Sequence, residues 1–399
     1  MSEPEAFYRQ AIDLNRYSNY VSLNIMRTYN DIVIDALQKL DDVGSLNPRE
    51  AARLNALLAQ VRESLDTWAG DSSVYLVQEF DGLAKLQADF ISGQIKDVVK
   101  PSLVDAIRSV EITPDFARSV VLADPTDISA AVLQPSLEQQ IRGQAPGLVT
   151  LDAGKGAVMM LPDGKKLGTA FRQLAAKSAD KFRVTVRNGM LTGENMRDMI
   201  KRLRGSLRFA DAAGINQTIA KGGELTTLTD AQIRALIRTS VTQMTNTVNQ
   251  QMYIANQDFI EKYRYRATLD FNTTPICQSL DGKVFEFGKG PQPPQHYGCR
   301  STIVMITKTE VEGDFRSREK RAALGGLVPN DMTYPEWIAT QSVAAQEQAL
   351  GGKGKARLFR SLLDKGESPR KAFAKFIRSD GSTVNLKELQ SKYGAPETR

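Results

Sequence analysis

Apolar residues spaced by three and four dominate the first hundred positions. Leu14, Tyr17, Val21, Ile25, Tyr29, Ile32, Ala36 and Leu40 form one stripe and predict a long amphipathic helix. Gly44 and Ser45 interrupt it. Asn47 as cap, Pro48 at the first helical position and Glu50 in the first turn predict the start of a second helix. That helix would bury Leu54, Leu57, Leu58, Val61, Leu65 and Trp68, and Gly70 would close it. A third is expected from about Ser72 to Val99, with Leu76, Phe80, Leu83, Phe90 and Ile95 inward and Pro101 as the stop. Short connections make such neighbours antiparallel, so residues 1–100 read as a helical bundle or arm.

Further along, the pattern is less regular. Residues 101–168 read as a connector with short helices, punctuated by Pro at 101, 114, 125, 135 and 146. Apolar runs at 148–151 and 157–161 around a Gly-rich turn predict a β-hairpin. The string GKKLG at 164–168 lacks the glycine offset and the Ser/Thr of a phosphate-binding loop. Helices are expected again at 169–180 and 193–213. In the second, Arg197, Lys201, Arg202, Arg204 and Arg208 form a basic face beside Met196, Met199, Ile200, Leu203 and Leu207. That face is either a candidate DNA contact or the solvated side of an amphipathic helix.

A helix over about 230–260 carries the apolar stripe Ile233, Ile237, Val241, Met244, Val248, Met252, Ala255 and Phe259, with Thr229 and Gln232 as a capping box. Its other side is crowded with Thr239, Thr245, Asn246 and Asn249, a face expected to hydrogen-bond neighbouring chain. The period then changes to two, predicting strands at 264–270, 283–287 and 301–307, with turns at Asp281-Gly282 and 288–294. Beyond residue 307 the chain reads as helical, with Tyr334-Pro-Glu-Trp337 opening one helix and 351–355 interrupting it. The expected fold class is α+β. It comprises an N-terminal long-helix bundle, a central helix with a small sheet over 169–306, and a mostly helical region over 307–399.

Composition narrows the chemistry. The 399 residues hold 52 Lys+Arg, 46 Asp+Glu, one His and two Cys. Two cysteines exclude a disulfide-framed secreted scaffold, and one histidine excludes any site needing two or three. The acidic amphipathic start, MSEPEAFYRQ, reads as neither a signal nor a transit peptide, and no apolar run is long enough to cross a membrane. The expectation is a soluble chain made in a reducing cytosol. Charge is uneven: residues 1–100 carry a net −5, whereas 307–399 carry +5. Such asymmetry bears on partners rather than fold.

Both cysteines and the single histidine fall within 277–299, in CQSLDG…PPQHYGCR. Three readings of Cys277, His296 and Cys299 stand side by side. Thiolate and imidazole are preferred zinc ligands, but a closed site needs a fourth, which Asp281 or Asp270 would have to supply. A thiolate–imidazole pair could serve a cysteine hydrolase, although no orienting group or oxyanion hole is evident. In the third reading the cysteines are small buried hydrophobes, His296 bonds backbone or a carboxylate, and Arg300 forks onto Asp270 or Asp281.

The string from Asp270 through Cys277, Asp281-Gly282-Lys-Val-Phe285, Pro294, His296 and Cys299-Arg300 resembles the signature of the phage Mu F-like head morphogenesis family. Upstream, Arg238-Thr239, Asn246, Asn249 and the stretch Asn188-Gly189 to Glu194 are similar too. The resemblance covers about 180–306, and Tyr334-Pro-Glu-Trp337 to Gln341 with Leu350-Gly351 resembles a head-protein tail. The chain departs from the family pattern at Thr274 and Ser301, where members often carry cysteines that would complete a metal site. These departures favour a hydrogen-bonded motif with no resident cofactor. The resemblance implies a non-enzymatic minor capsid protein of a tailed phage, made in the bacterial cytoplasm and housed in the virion head near the portal vertex. Its implied partners are the portal protein, the major capsid or scaffolding protein and packaged double-stranded DNA, with no membrane during assembly and ejection with the DNA in some relatives.

Overall fold

The computed structural model describes residues 3–43, 50–112, 116–118, 121, 148–151, 161–163, 165–192, 194, 196–204, 226–287, 289–308, 320–378 and 381–394. Two long helices, α1 (Glu3–Val43) and α2 (Ala51–Val98), open the chain where the sequence predicts three. The predicted Asn47–Pro48 start lies outside the described residues. Gly70 does not end a helix. Leu65, Trp68, Ala69, Ser72, Ser73, Leu76 and Phe80 are buried in unbroken helical rhythm across it. Packing on that face outweighs the roughly 1 kcal/mol that a mid-helix glycine costs relative to alanine. Trp68 is the knot of the bundle. Its indole Nε1 donates to the Ile25 carbonyl at 3.1 Å, and its ring lies 5.2 Å from Tyr29 and 5.6 Å from Phe171.

After a 3-10 turn at Pro101–Ala106, β1 (Ser109–Ile112) pairs in parallel with β2 (Leu148–Leu151). The predicted hairpin would have paired 148–151 with 157–161 instead. The arm at 157–160 lies outside the described residues. Next come α3 (Leu167–Thr192), α4 (Met196–Arg204) and α5 (Thr226–Ala255). Helix α3 outruns its predicted end at 180 because Phe182 and Val186 continue the buried face of Phe171, Leu174 and Ala175. Helix α5 begins three residues before Thr229, which therefore sits inside it rather than capping it. It ends where Asn256 turns its side chain back, donating from Nδ2 to the Met252 carbonyl at 2.9 Å.

A three-stranded antiparallel sheet follows, in the order β4 (Val284–Phe285), β3 (Ile260–Arg266), β5 (Thr302–Thr307). Tyr263 pairs with Phe285 on one side and Met305 on the other. A short helix, α6 (Pro275–Leu280), sits between β3 and β4. The region beyond is not helical throughout: β6 (Lys320–Ala323) and β7 (Gly326–Pro329) form a hairpin. Among the described residues five short helices follow: α7 (Tyr334–Ala339), α8 (Val343–Leu350), α9 (Lys353–Asp364), α10 (Pro369–Ala374) and α11 (Leu386–Tyr393). The architecture is α+β, and no helix among the described residues is long and apolar enough to cross a membrane.

Alternate residues along β3 and its extension connect three apolar clusters. Tyr263 belongs to the large core shared by α1, α2, α3, α5 and the sheet. Tyr265 and Ala267 join a small cluster with Cys277 and Cys299. Leu269 enters a second core with Tyr334, Trp337, Phe359 and Phe373. The long helices are thus part of the main core rather than a detached arm.

A Cβ added at Gly70 meets nothing within 4 Å. Gly70→Ala is expected to stabilise the protein by about 0.5–1 kcal/mol in urea unfolding, because the helix is continuous there. No gain would mean a chain break at this position.

Candidate functional site

One face of α5 supplies hydrogen bonds to the chain leading into β5. Its residues recur at alternating steps of three and four: Thr239, Thr242, Asn246, Asn249 and Tyr253. Thr239 Oγ1 accepts from the Gly298 amide at 2.8 Å, and Thr242 Oγ1 donates to the Cys299 carbonyl at 2.7 Å. Asn246 Oδ1 accepts from the Ile303 amide at 2.8 Å, while its Nδ2 donates to the Ser301 carbonyl at 3.3 Å. Tyr253 OH and Asn249 Nδ2 both donate to the Ile303 carbonyl, at 3.4 and 3.5 Å. The polar side of the helix therefore satisfies backbone groups that a neighbouring strand would otherwise satisfy. Asn249 also accepts from Gln87 Nε2 at 2.5 Å, and Gln87 accepts from Gln10 Nε2 at 2.6 Å. A buried amide relay joins both N-terminal helices to this face.

The two acidic signature residues are each matched to an arginine. Arg300 forks onto Asp270, with Nη1–Oδ2 at 2.5 Å and Nη2–Oδ1 at 2.8 Å. Burial pushes the Asp270 carboxyl up, but Arg300, Thr273 and the Asn272 amide outweigh it and hold it below the usual range. Asp281 is not the partner of Arg300. Its side chain is fully buried and accepts four hydrogen bonds, two on each oxygen: Ala267 N at 2.8 Å and Arg321 Nη2 at 3.0 Å on Oδ1, Tyr334 N at 2.7 Å and Arg321 Nη1 at 2.9 Å on Oδ2. Arg321, on β6, donates further to the carbonyls of Met332 at 3.0 Å and Ala267 at 2.5 Å. Gly282 follows with φ of +80°, and a Cβ there would stand 2.5 Å from Thr333 Cγ2. Both conformation and space call for glycine.

Cys277, on α6, and Cys299, ahead of β5, place their sulfurs 3.8 Å apart, and neither is more than 1% exposed. The sulfurs and a ring nitrogen of His296 all lie within 4.8 Å of one another. Tyr265 OH stands 3.2 Å from Cys277 Sγ. The bond from Cys277 lowers the Cys299 thiol against its burial, with help from His296 and the backbone of Ser301 and Gln295. Cys277 is pushed up in turn by the Cys299 sulfur and by burial. Burial would lower His296, but the Cys299 sulfur and the Tyr297 carbonyl raise it. Neither Asp270 nor Asp281 is free to serve as a fourth metal ligand, because both are committed to arginines.

All seven signature residues converge here: Asp270, Cys277, Asp281, Gly282, His296, Cys299 and Arg300. The basic face does not join them. Arg197 is exposed on α4, of which Met199 and Leu203 form the buried side. Lys201, Arg202 and Arg204 lie on the same helix without described side chains, and Arg208 lies outside the described residues. Sequence reasoning missed Arg321, which sits in the region read only as a basic tail. It also missed Thr242 and Tyr253, which the three-and-four spacing of the α5 polar face could have revealed.

Asp281→Asn is expected to cost about 3–5 kcal/mol in chemical unfolding, since it leaves the Arg321 charge buried against a neutral amide. A loss under 1 kcal/mol would mean the pair is dispensable. For Asp270, the lowered folded-state value means a stabilisation present above the unfolded carboxyl's value of about 4 and lost as pH falls through the folded one. Asp270→Asn is therefore expected to flatten the acid limb of a stability–pH curve, and an unchanged limb would assign it to other carboxylates.

Comparison with curated proteins finds no match, and comparison with solved structures finds none either. A family model does match, over residues 180–304, the stretch that holds α5, β3, β4, the start of β5 and every signature residue. Residues 180–304 thus match the model of the family described as Phage Mu protein F like protein.

Proposed function

We propose that this chain is a minor capsid protein of a tailed phage, built into the head beside the portal. The Phage Mu protein F like domain supports a phage head morphogenesis protein and, with it, a place in the virion. What carries the finer reading is how the signature residues are used. Asp270 and Asp281 are saturated by arginines and both sulfurs are buried, so the motif serves to hold the fold together. The role is structural rather than catalytic, and partners meet the outside of the molecule. The portal protein is the proposed main partner, with the major capsid or scaffolding protein adjoining.

A groove between α1 and α2 offers the exposed carboxylates Asp31, Glu63 and Asp71 beside Asn24, Thr28 and Gln60. It is the proposed portal-docking surface. Exposed Arg197 on α4 is the proposed edge of the surface that faces packaged DNA. Because α1 and α2 share the main core, deleting them would unfold the domain, and surface charge reversal is the cleaner test.

Quantitative mass spectrometry on purified particles is expected to find the chain at a small fraction of the major capsid protein. The triple variant Asp31→Lys, Glu63→Lys, Asp71→Lys is expected to keep its helical circular dichroism and lose incorporation several-fold. Absence of the wild-type chain from mature particles would overturn the virion reading, and unchanged incorporation of the variant would overturn the docking surface. Ghosts emptied of DNA separate the two fates, retention marking a fixed portal-side part and loss an ejected one.

A further inference from the structure

Cys277 is presented by α6, and His296 and Cys299 by the two ends of one turn ahead of β5, with hydrogen bonds to the backbone holding both segments in place. The Cys277 carbonyl accepts from the Asp281 amide at 3.1 Å, and Gln278, beside it, donates to the Thr273 carbonyl and Tyr334 OH at 2.6 and 3.0 Å. Cys299 is held through its carbonyl by Thr242, and its amide closes a tight turn onto the His296 carbonyl at 3.2 Å. The preceding Gly298 amide is taken by Thr239. The three donor atoms therefore converge because the backbone brings them together.

The spacing of the two sulfurs is that of one edge of a coordination tetrahedron. Two sulfurs, each about 2.3 Å from a tetrahedral zinc ion, stand about 3.8 Å apart along the edge of the tetrahedron. The observed separation is 3.8 Å. The surroundings match as well. His296 Nδ1 lies 2.9 Å from the Tyr297 carbonyl, which can only accept, so Nδ1 carries a proton and Nε2 is the ring nitrogen left to meet a metal. Tyr265 OH lies within hydrogen-bond reach of Cys277 Sγ, at 3.2 Å. A ligand histidine anchored through its other nitrogen, beside a supported thiolate, is the arrangement that orients metal ligands. Two thiolates and an imidazole select zinc over magnesium or calcium.

We propose that Cys277, His296 and Cys299 hold one zinc ion, with a water completing the tetrahedron. Asp270 and Asp281 are bound by Arg300 and Arg321, so the protein supplies no fourth ligand. The sequence alone counts a missing ligand and points away from a closed site, whereas an open zinc site takes three protein donors and a water. The ion would cross-link α6, the Pro-rich loop and the start of β5. This inference does not depend on the portal reading.

The test uses the full chain, expressed without a histidine tag, reduced and purified without chelator. Elemental analysis is expected to find one zinc per chain. Replacement by cobalt is expected to give the visible bands of a tetrahedral site with thiolate charge transfer. His296→Asn is expected to weaken zinc binding at least ten-fold with unchanged circular dichroism, and Tyr265→Phe by about ten- to a hundred-fold. Since Cys→Ser variants can fail to fold, these two substitutions and the wild-type cobalt spectrum decide. A reduced wild-type chain that takes up neither metal from excess would overturn the proposal. So would cobalt bands of an octahedral site, or zinc affinity unchanged in His296→Asn.

Discussion

A single buried carboxylate holds two halves of this molecule in register. Burying an ionised aspartate is costly unless every lone pair finds a donor. Asp281 meets that demand with a guanidinium fork and two backbone amides, drawn from β3's extension, from β6 and from the first turn of α7. Remove any of these donors and a charge is stranded in an apolar setting. Gly282 lets the chain turn away at once, and Thr333 fills the space its missing side chain leaves. The position of the second core relative to the sheet follows from this cluster.

The other organising device is a helix doing the work of a strand. β5 is paired with β3 on one edge, and its opposite edge and approach are served by Thr, Asn and Tyr side chains from α5. Side-chain amides fix a backbone more selectively than a strand ladder does, since a one-residue slip would place Val241 or Val248 where a donor is needed. The same helix turns its apolar side to the long N-terminal helices, so it is buried on both faces. The amide relay from Gln10 through Gln87 to Asn249 carries that alignment across the main core.

Much of this was legible in the chain. Regular spacing revealed the long helices, the polar face of α5 and the three strands, because periodicity reports which side of an element is buried. Residue type alone indicated that Arg300 would grip a carboxylate, but not that Asp270 would win it. The deciding factor was Arg321, forty positions beyond Asp281, in a stretch without period or motif. Gly70 misled for the opposite reason: local propensity was read as decisive where tertiary packing outweighed it. The parallel pairing of β1 with β2 had no local signal, since a strand's partner is not written in its own sequence. Convergence of the cysteines and His296 was hinted at by proximity along the chain, while the distance between the sulfurs was not.

The Asp281–Arg321 pair also imposes an order of events on a chain made from one end. When Asp281 leaves the ribosome, the guanidinium that balances it has not been synthesised, and Tyr334 follows later still. Until then the carboxylate remains in water and the loop around it stays open. Gln87, made 162 positions earlier, likewise waits for Asn249. The N-terminal helices can therefore form early, but the molecule closes only once its last quarter has emerged. A half-made chain thus presents its N-terminal helices before the carboxylate behind them is balanced.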